Sequence, residues 1–296
     1  VRRRPEGGGV TSFGSRLAAA VDARGPLCVG IDPHASLLDA WGLPASAAGV
    51  RDFGLRVVDA ARTRVGVVKP QVAFFERYGS AGYAALEEVI RAARAAGLVV
   101  IADAKRGDIG TTMDGYAEAW LAAGSPLESD AVTVSPYLGP DSLRGTIATA
   151  VREGKGVYVL AATSNPEAAG LQSAELTTVD AERGQTVADW VAQRAGSANA
   201  SAVVGDDRFG PVGFVVGATV ERADLGLTDA SLHRASLLAP GFGAQGARLR
   251  DISERFGALA PQVLASASRS ILGAGPDGIA AAIDTHNSEL QDARDA

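Results

Sequence analysis

Four charged side chains fall within six positions of the stretch "LVVIADAKRGDIGTT": Asp103, Lys105, Arg106 and Asp108. The apolar run Leu98–Ala102 before them reads as a buried strand, and side chains two apart on a strand share a face. Asp103 and Lys105 therefore point the same way, into a region where burying charge is costly unless each charge has a partner. Lys69, which closes the run "VGVVKP", supplies a second ammonium, so Lys69, Asp103, Lys105 and Asp108 alternate base, acid, base, acid. Two unit charges about 4 Å apart interact by roughly 4 kcal/mol at an effective dielectric near 20. Flanking carboxylates of that strength keep Lys105 protonated despite partial burial. An ammonium is a poor Schiff-base nucleophile but a good proton donor, and fixed in place it stabilises a developing carbanion without solvent reorganisation. The set is suited to making a carbanion and protonating it; the competing reading is a structural ion-pair network.

A second chemical element is the glycine loop "APGFGAQG", with Gly241, Gly243 and Gly246 at G-x-G-x-x-G spacing. A dinucleotide site is rejected, because the next strand, "QVLASAS", ends without the acid that would hold a ribose hydroxyl. A glycine loop after a seventh strand, with Arg269 after an eighth, instead matches the phosphate site of α/β barrels. Backbone N–H groups of the loop and the helix after it would cradle an oxyanion, and Arg269 would add charge-assisted bonds. Gln245 has no packing reason to sit in such a loop and points to a ligand. The three histidines, His34, His233 and His286, are scattered without metal-ligand spacing, so no metal site is expected.

These residues need elements to position them. Eight short apolar runs recur: 27–32, 65–70, 98–104, 130–136, 156–164, 212–218, 236–241 and 262–268. Amphipathic stretches separate them, such as "GYAALEEVIRAARAAG", where Leu86, Val89, Ile90 and Ala93 share a face and Gly97 offers a C-cap. Strands alternating with helices imply a parallel sheet with right-handed crossovers. The expected fold is α/β, a single-domain (β/α)8 TIM barrel, with a doubly wound open sheet as its competitor. Polar residues close successive runs at the same end: Asp32, Lys69, Asp103 with Lys105, then Thr163 and Ser164, and Arg269. Residues 1–11 are expected to form a disordered leader, 12–285 the barrel and 286–296 a polar, fraying tail. The longest departure from the relay, 166–210, is expected to hold a helix over 174–195 and a loose loop over 196–211.

The 296 residues carry a net charge of −6, with 47% apolar and 21% charged side chains. That suits one large core and argues against a general nucleic-acid or anionic-membrane surface. The one cysteine, Cys28, excludes an internal disulfide and any cysteine-based zinc cluster. No apolar run approaches the length of a membrane span, and "VRRRPEGGG" lacks the apolar core of a signal peptide. A reducing, cytoplasmic setting is expected.

The stretch "DAKRGDIGTT" resembles the D-x-K-x-x-D signature of orotidine 5′-phosphate decarboxylases, and "KRGDI" is similar to their type 2 subfamily. "VGIDPH", "VVKPQVAFFERYG", "LAATSNP", "VGFVVGAT" and "APGFGAQG" extend the resemblance in order over residues 12 to 280. It implies cofactor-free loss of CO2 from orotidine 5′-monophosphate to give UMP, the last step of de novo pyrimidine synthesis. By motif, Lys105 would protonate C6 beside Asp103, Lys69 would contact the ribose and order the network, and Asp32 would bind a ribose hydroxyl. Asp108 and Thr112 would reach a neighbouring site across a homodimer interface. Thr163 and Ser164 would meet the pyrimidine, Gln245 would bridge base and phosphate, and Gly246 and Arg269 would bind phosphate. Gly243 stands where a bacterial branch carries an arginine, and Arg106 and Gly107 replace the usual residues before the second aspartate. Two rival functions remain: a Mg-dependent sugar-phosphate decarboxylase or aldolase of the same superfamily, and a catalytically silent nucleotide-binding barrel.

Overall fold

The computed structural model describes residues 11–178, 182–202, 208–243 and 246–295. Eight parallel strands close into a barrel in chain order: β1 (Leu27–Ile31), β2 (Val67–Pro70), β3 (Val99–Arg106), β4 (Ala131–Val134), β5 (Gly156–Ala162), β6 (Val212–Val216), β7 (Leu237–Pro240) and β8 (Val263–Ala267). Val29 pairs with Ala267, so β1 and β8 seal the ring. The expected (β/α)8 barrel is the observed one, and the open-sheet alternative falls.

Alternation along the strands divides the core in two. Val29, Val68, Val100 and Val132 face outward onto the helices. Cys28, Val67, Val99, Ile101, Tyr158, Leu238 and Leu264 form a separate cluster inside the ring. The helix Phe13–Arg24 closes that interior from below: Phe13 and Leu17 join the inner cluster, and the Phe13 ring meets Tyr158 edge-on at 6.2 Å. Continued upward two residues at a time, the inward rows turn polar. Val67 leads to Lys69, Ile101 to Asp103, Ala131 to Thr133, Leu264 to Ser266 and Ser268, and Cys28 through Gly30 to Asp32. The period of the strand thus carries chemistry to the C-terminal mouth and apolar packing to the floor.

Several local expectations hold in detail. Leu86, Val89, Ile90 and Ala93 are buried on the helix Gly79–Ala95, and Gly97 follows it in the left-handed region at φ 74°. Trp41 and Trp120 pack in the core, and the Trp41 Nε1–H donates to the Leu272 carbonyl at 3.0 Å.

Two stretches differ from expectation. The helix expected over 174–195 begins only at Val187 and runs to Ala202. Before it the chain turns back on itself, with Leu176 N–H donating to the Gln185 carbonyl and Gly184 at φ 84°. Thr186 Oγ1 then caps the helix by accepting from Asp189 N–H at 3.1 Å. The polar run expected to be loose is helical up to Ala202 because Asn199 is buried against β6. Its amide donates to the Val212 carbonyl and accepts from Val212 N–H, both at 2.9 Å. Residues 286–295, expected as a polar tail, continue the helix Gly275–Asp295, with Leu290 fully buried. Residues 1–10, most of the expected leader, lie outside the described residues.

Candidate active site

A cavity of about 540 Å³ opens at the C-terminal end of the barrel. Its floor is apolar, with Leu160, Val215 and Leu238, and its wall is the polar continuation of the inward rows. Asp103 stands at its centre, almost fully buried. Lys69 Nζ donates to Asp103 Oδ2 at 2.8 Å and Lys105 Nζ to Oδ1 at 2.5 Å. Thr133 Oγ1 adds a bond to Oδ1 at 3.0 Å. The Gln71 amide, oriented to donate, reaches Oδ2 at 3.1 Å and the Asp103 carbonyl at 2.7 Å. One carboxylate thus organises two cations from neighbouring strands.

The electrostatics follow from that count. Burial pushes the Asp103 carboxyl up, but Lys69 and then Lys105 outweigh it and hold the group well below the ordinary carboxylate range. Burial also opposes an ammonium at Lys69, yet Asp103 and then Asp32 overcome it and hold the lysine above its ordinary range. Lys69 and Asp103 are therefore locked as ions. Lys105 differs in exposure: its side chain is 45% accessible, against 9% for Lys69. Of the two lysines that line the cavity it is the more accessible.

Its backbone is strained. Lys105 sits at φ 49°, a region that costs a residue with a Cβ about 1 kcal/mol or more. Its N–H donates to Thr133 Oγ1 at 2.9 Å, where a regular strand would use a backbone carbonyl. On β1, beside Lys69, Gly30 makes room. A Cβ there would meet Ser268 Cβ at 2.8 Å and Asp32 Oδ1 at 3.3 Å. Asp32 Oδ1 and Ser268 Oγ are both buried without a hydrogen-bond partner, so the wall beyond β1 and β8 holds unsatisfied polar atoms.

The family model for the orotidine 5′-phosphate decarboxylase / HUMPS family matches residues 25–283. The chain belongs to this family. Its relatives include two proteins named orotidine 5′-phosphate decarboxylase. That of Salinispora tropica is 50% identical over 269 residues, covering 91% of this chain and 92% of the relative. That of Corynebacterium glutamicum is 47% identical over 266 residues, covering 90% and 92%. A solved structure from Streptomyces avermitilis, provisionally named as the same decarboxylase, superposes with a TM-score of 0.88 at 45% identity over 100% of both chains. The Leishmania donovani OMP decarboxylase gives 0.74 at 32% identity, over 97% of this chain and 100% of that one.

Of the residues expected from sequence, Asp32, Lys69, Asp103, Lys105, Thr163, Ser164 and Arg269 all line the cavity. Thr163 is held by Gln172, which accepts from its N–H and donates to its Oγ1, both at 3.0 Å. Asp108, Thr112 and Gly246 are not among the lining residues. Asp108 Oδ1 accepts from Ile109 N–H at 2.8 Å, and Thr112 is exposed on the helix Gly110–Leu121. Gln245 lies outside the described residues. Among the described residues of the glycine loop, part of the backbone N–H complement is already used. Gly243, Gly246 and Ala247 already donate their N–H groups to Ala247, Gly243 and Gly241 carbonyls, at 2.8, 3.0 and 3.2 Å.

Sequence reasoning missed Gln71, Thr133 and His34. Gln71 and Thr133 carried a usable signal, because each continues an inward row two residues beyond Lys69 or Ala131. His34 lines the cavity and packs its ring on Phe74 at 4.2 Å. It too continues an inward row, two residues beyond Asp32.

Proposed function

We propose that this chain decarboxylates orotidine 5′-monophosphate to UMP without a cofactor, as the last step of de novo pyrimidine nucleotide synthesis, through a single barrel domain. Relatives near half identity over nine-tenths of the chain are named for that activity. The observation that carries the chemistry is the buried Asp103 carboxylate bracketed by Lys69 and Lys105 at 2.8 and 2.5 Å.

In this reading the substrate carboxylate takes a position beside Asp103. The C6–carboxylate bond breaks, CO2 leaves, and the electron pair stays on C6. The Lys105 ammonium stabilises that charge and then donates its proton to C6, recovering one from solvent. Because Asp103 and Lys69 keep Lys105 in place before substrate arrives, little reorganisation accompanies charge development. Lys69 and Asp32 meet the ribose, and Thr163 and Ser164 the pyrimidine. Arg269 holds the phosphate, with Gln245 and Gly246 contributing from the glycine loop. Phosphate binding, remote from C6, serves to hold the reacting carbon against the charged set.

A homodimer belongs to the proposal. Asp108 and Thr112 flank Ile109, which is 62% exposed, and the loop after β4 exposes Tyr137 at 77% and Leu138 at 51%. These two loops stay together because Ser135 N–H donates to the Arg106 carbonyl at 2.8 Å. Gly107 permits the approach, since a Cβ there would stand 2.7 Å from the Ser135 carbonyl oxygen. An apolar, solvent-facing ridge beside Asp108 and Thr112 suits a second copy that receives both side chains. A cytoplasmic setting agrees with Cys28 held as a buried thiol.

The test follows orotidine 5′-monophosphate absorbance with purified protein, with and without EDTA, beside Lys105→Ala. Turnover by the wild type, unaffected by EDTA and lost in the variant, is expected. Wild-type protein that leaves the nucleotide intact would sink the proposal, and turnover abolished by EDTA would favour a metal-dependent relative.

A further inference from the structure

Arg106 has no part in the chemistry above, yet it is among the most fully engaged side chains near the mouth. Its Nη2 donates to Glu76 Oε1 at 2.8 Å and to Tyr83 Oη at 3.1 Å, and its Nη1 to the Ala104 carbonyl at 3.2 Å. Tyr83 Oη in turn donates to Glu76 Oε1 at 2.7 Å, and the guanidinium lies over the Tyr116 ring, 5.6 Å from its centre. Glu76 ends the helix Ala73–Glu76, which follows directly on the β2 segment carrying Lys69 and Gln71.

The strand around Arg106 is irregular in a specific way. Ala102 pairs with Val132 and Arg106 with Val134, so four steps of β3 stand opposite two of β4. Asp103, Ala104 and Lys105 occupy that bulge, with Lys105 at φ 49°. Bulges re-aim side chains beside active sites, and a left-handed residue persists only where its surroundings fix it. Within the bulge the Asp103 carbonyl accepts from Val72 N–H at 3.3 Å and the Lys105 N–H donates to Thr133 Oγ1, and Arg106 closes its far end. Its carbonyl accepts from Ser135 N–H where the ladder resumes, and its guanidinium bonds the Ala104 carbonyl inside the bulge. Its remaining bonds anchor it to Glu76, at the end of the helix that follows the Lys69 strand, and to Tyr83 on the next helix, Gly79–Ala95.

We infer that Arg106 is a positioning residue for Lys105: its tether to Glu76, Tyr83 and the Ala104 carbonyl holds the β3 bulge that aims Nζ at Asp103 and the cavity. The inference rests on the reading of Lys105 as proton donor. Removing the tether lets the bulge relax, withdrawing Lys105 from the reacting carbon while leaving ribose and phosphate contacts in place.

The test is steady-state decarboxylation of orotidine 5′-monophosphate together with UMP binding by calorimetry. Arg106→Ala is expected to lower kcat by about 10- to 100-fold, with KM and UMP affinity within about threefold of wild type. Arg106→Lys keeps the charge but loses the fork and should recover part of kcat. Tyr83→Phe should lower kcat modestly and add little on top of Arg106→Ala, since both cut one tether. A merely structural arginine would lower the melting temperature and the fraction of UMP-competent sites while kcat per competent site stayed at the wild-type value; that result overturns the inference. Should Arg106→Ala fail to fold, Tyr83→Phe and Glu76→Gln decide, and wild-type kcat in both overturns it equally. Active wild type, inactive Lys105→Ala and fully active Arg106→Ala would refute the tether alone. Inert wild type would refute the reading of the site and the tether with it.

Discussion

Asp103 is the residue on which the site turns, because two ammoniums depend on it. Breaking a buried pair leaves its partner uncompensated, at a cost of about 3–5 kcal/mol. Lys69→Ala is therefore expected to lower unfolding free energy by about 3 kcal/mol and to lower decarboxylation as well, read by urea titration beside kinetics. Lys105→Ala, whose side chain is far more exposed, should lose activity with little loss of stability; a stability loss equal to that of Lys69→Ala would contradict the different roles assigned to them. Cys28 gives a separate check. Burial pushes its thiol up to about 12, despite the opposing effect of Lys69. The native protein should show almost no reaction with a thiol reagent at neutral pH, and unfolded protein one equivalent. Rapid modification of the native chain would mean that the barrel interior opens.

At the scale of elements, the lower rim of the barrel is a second ion network with a structural use. Glu128 accepts from Lys155 Nζ and Gly124 N–H at 2.8 Å and from Arg94, which ties the end of the helix Gly79–Ala95 to the strand entrances. Burial raises the Glu128 carboxyl, but the Lys155 bond and its other partners win and lower it to about 2. A carboxyl depressed by folding stabilises the native state above its unfolded value and loses that contribution as pH falls through its folded value. Stability is thus expected to drop between about pH 4.5 and 2, and Glu128→Gln should flatten that decline in urea midpoints measured across the range. An unchanged slope would rule out Glu128 as its source. Asn199 locks the helix Val187–Ala202 to β6, and Asn199→Ala leaves the Val212 N–H and carbonyl buried without it. A loss of about 2 kcal/mol with unaltered kinetics is expected, because the helix touches none of the cavity.

For the whole molecule, the proposed sharing of active sites between two copies makes a prediction no single chain can satisfy. Lys105→Ala and Asp108→Ala chains, each inactive alone, should regain activity when mixed and allowed to exchange subunits. Continued inactivity despite exchange, checked by tagged co-purification, would count against Asp108 and Thr112 serving a neighbour. Much of this architecture was legible beforehand, because period-two apolar runs fix strands and the ends of parallel strands share one face. That logic alone brought Asp32, Lys69, Asp103, Lys105, Thr163, Ser164 and Arg269 to one mouth. It failed where local pattern and tertiary packing disagree. The run around Asn199 reads as a loop until β6 supplies partners for its amide, and the terminal segment reads as a fraying tail until Leu290 finds a core. The sequence by itself determined the barrel, its mouth and the identity of the charged set, since those depend on periodicity and residue type. Only the tertiary structure decided that Asp103 bridges both lysines, that a bulge in β3 carries Lys105 in a left-handed conformation, and that Gln71 and Thr133 complete the carboxylate's hydrogen bonds. Those facts depend on which strands become neighbours and in what register, and residues 34 and 30 positions apart carry no local trace of that meeting.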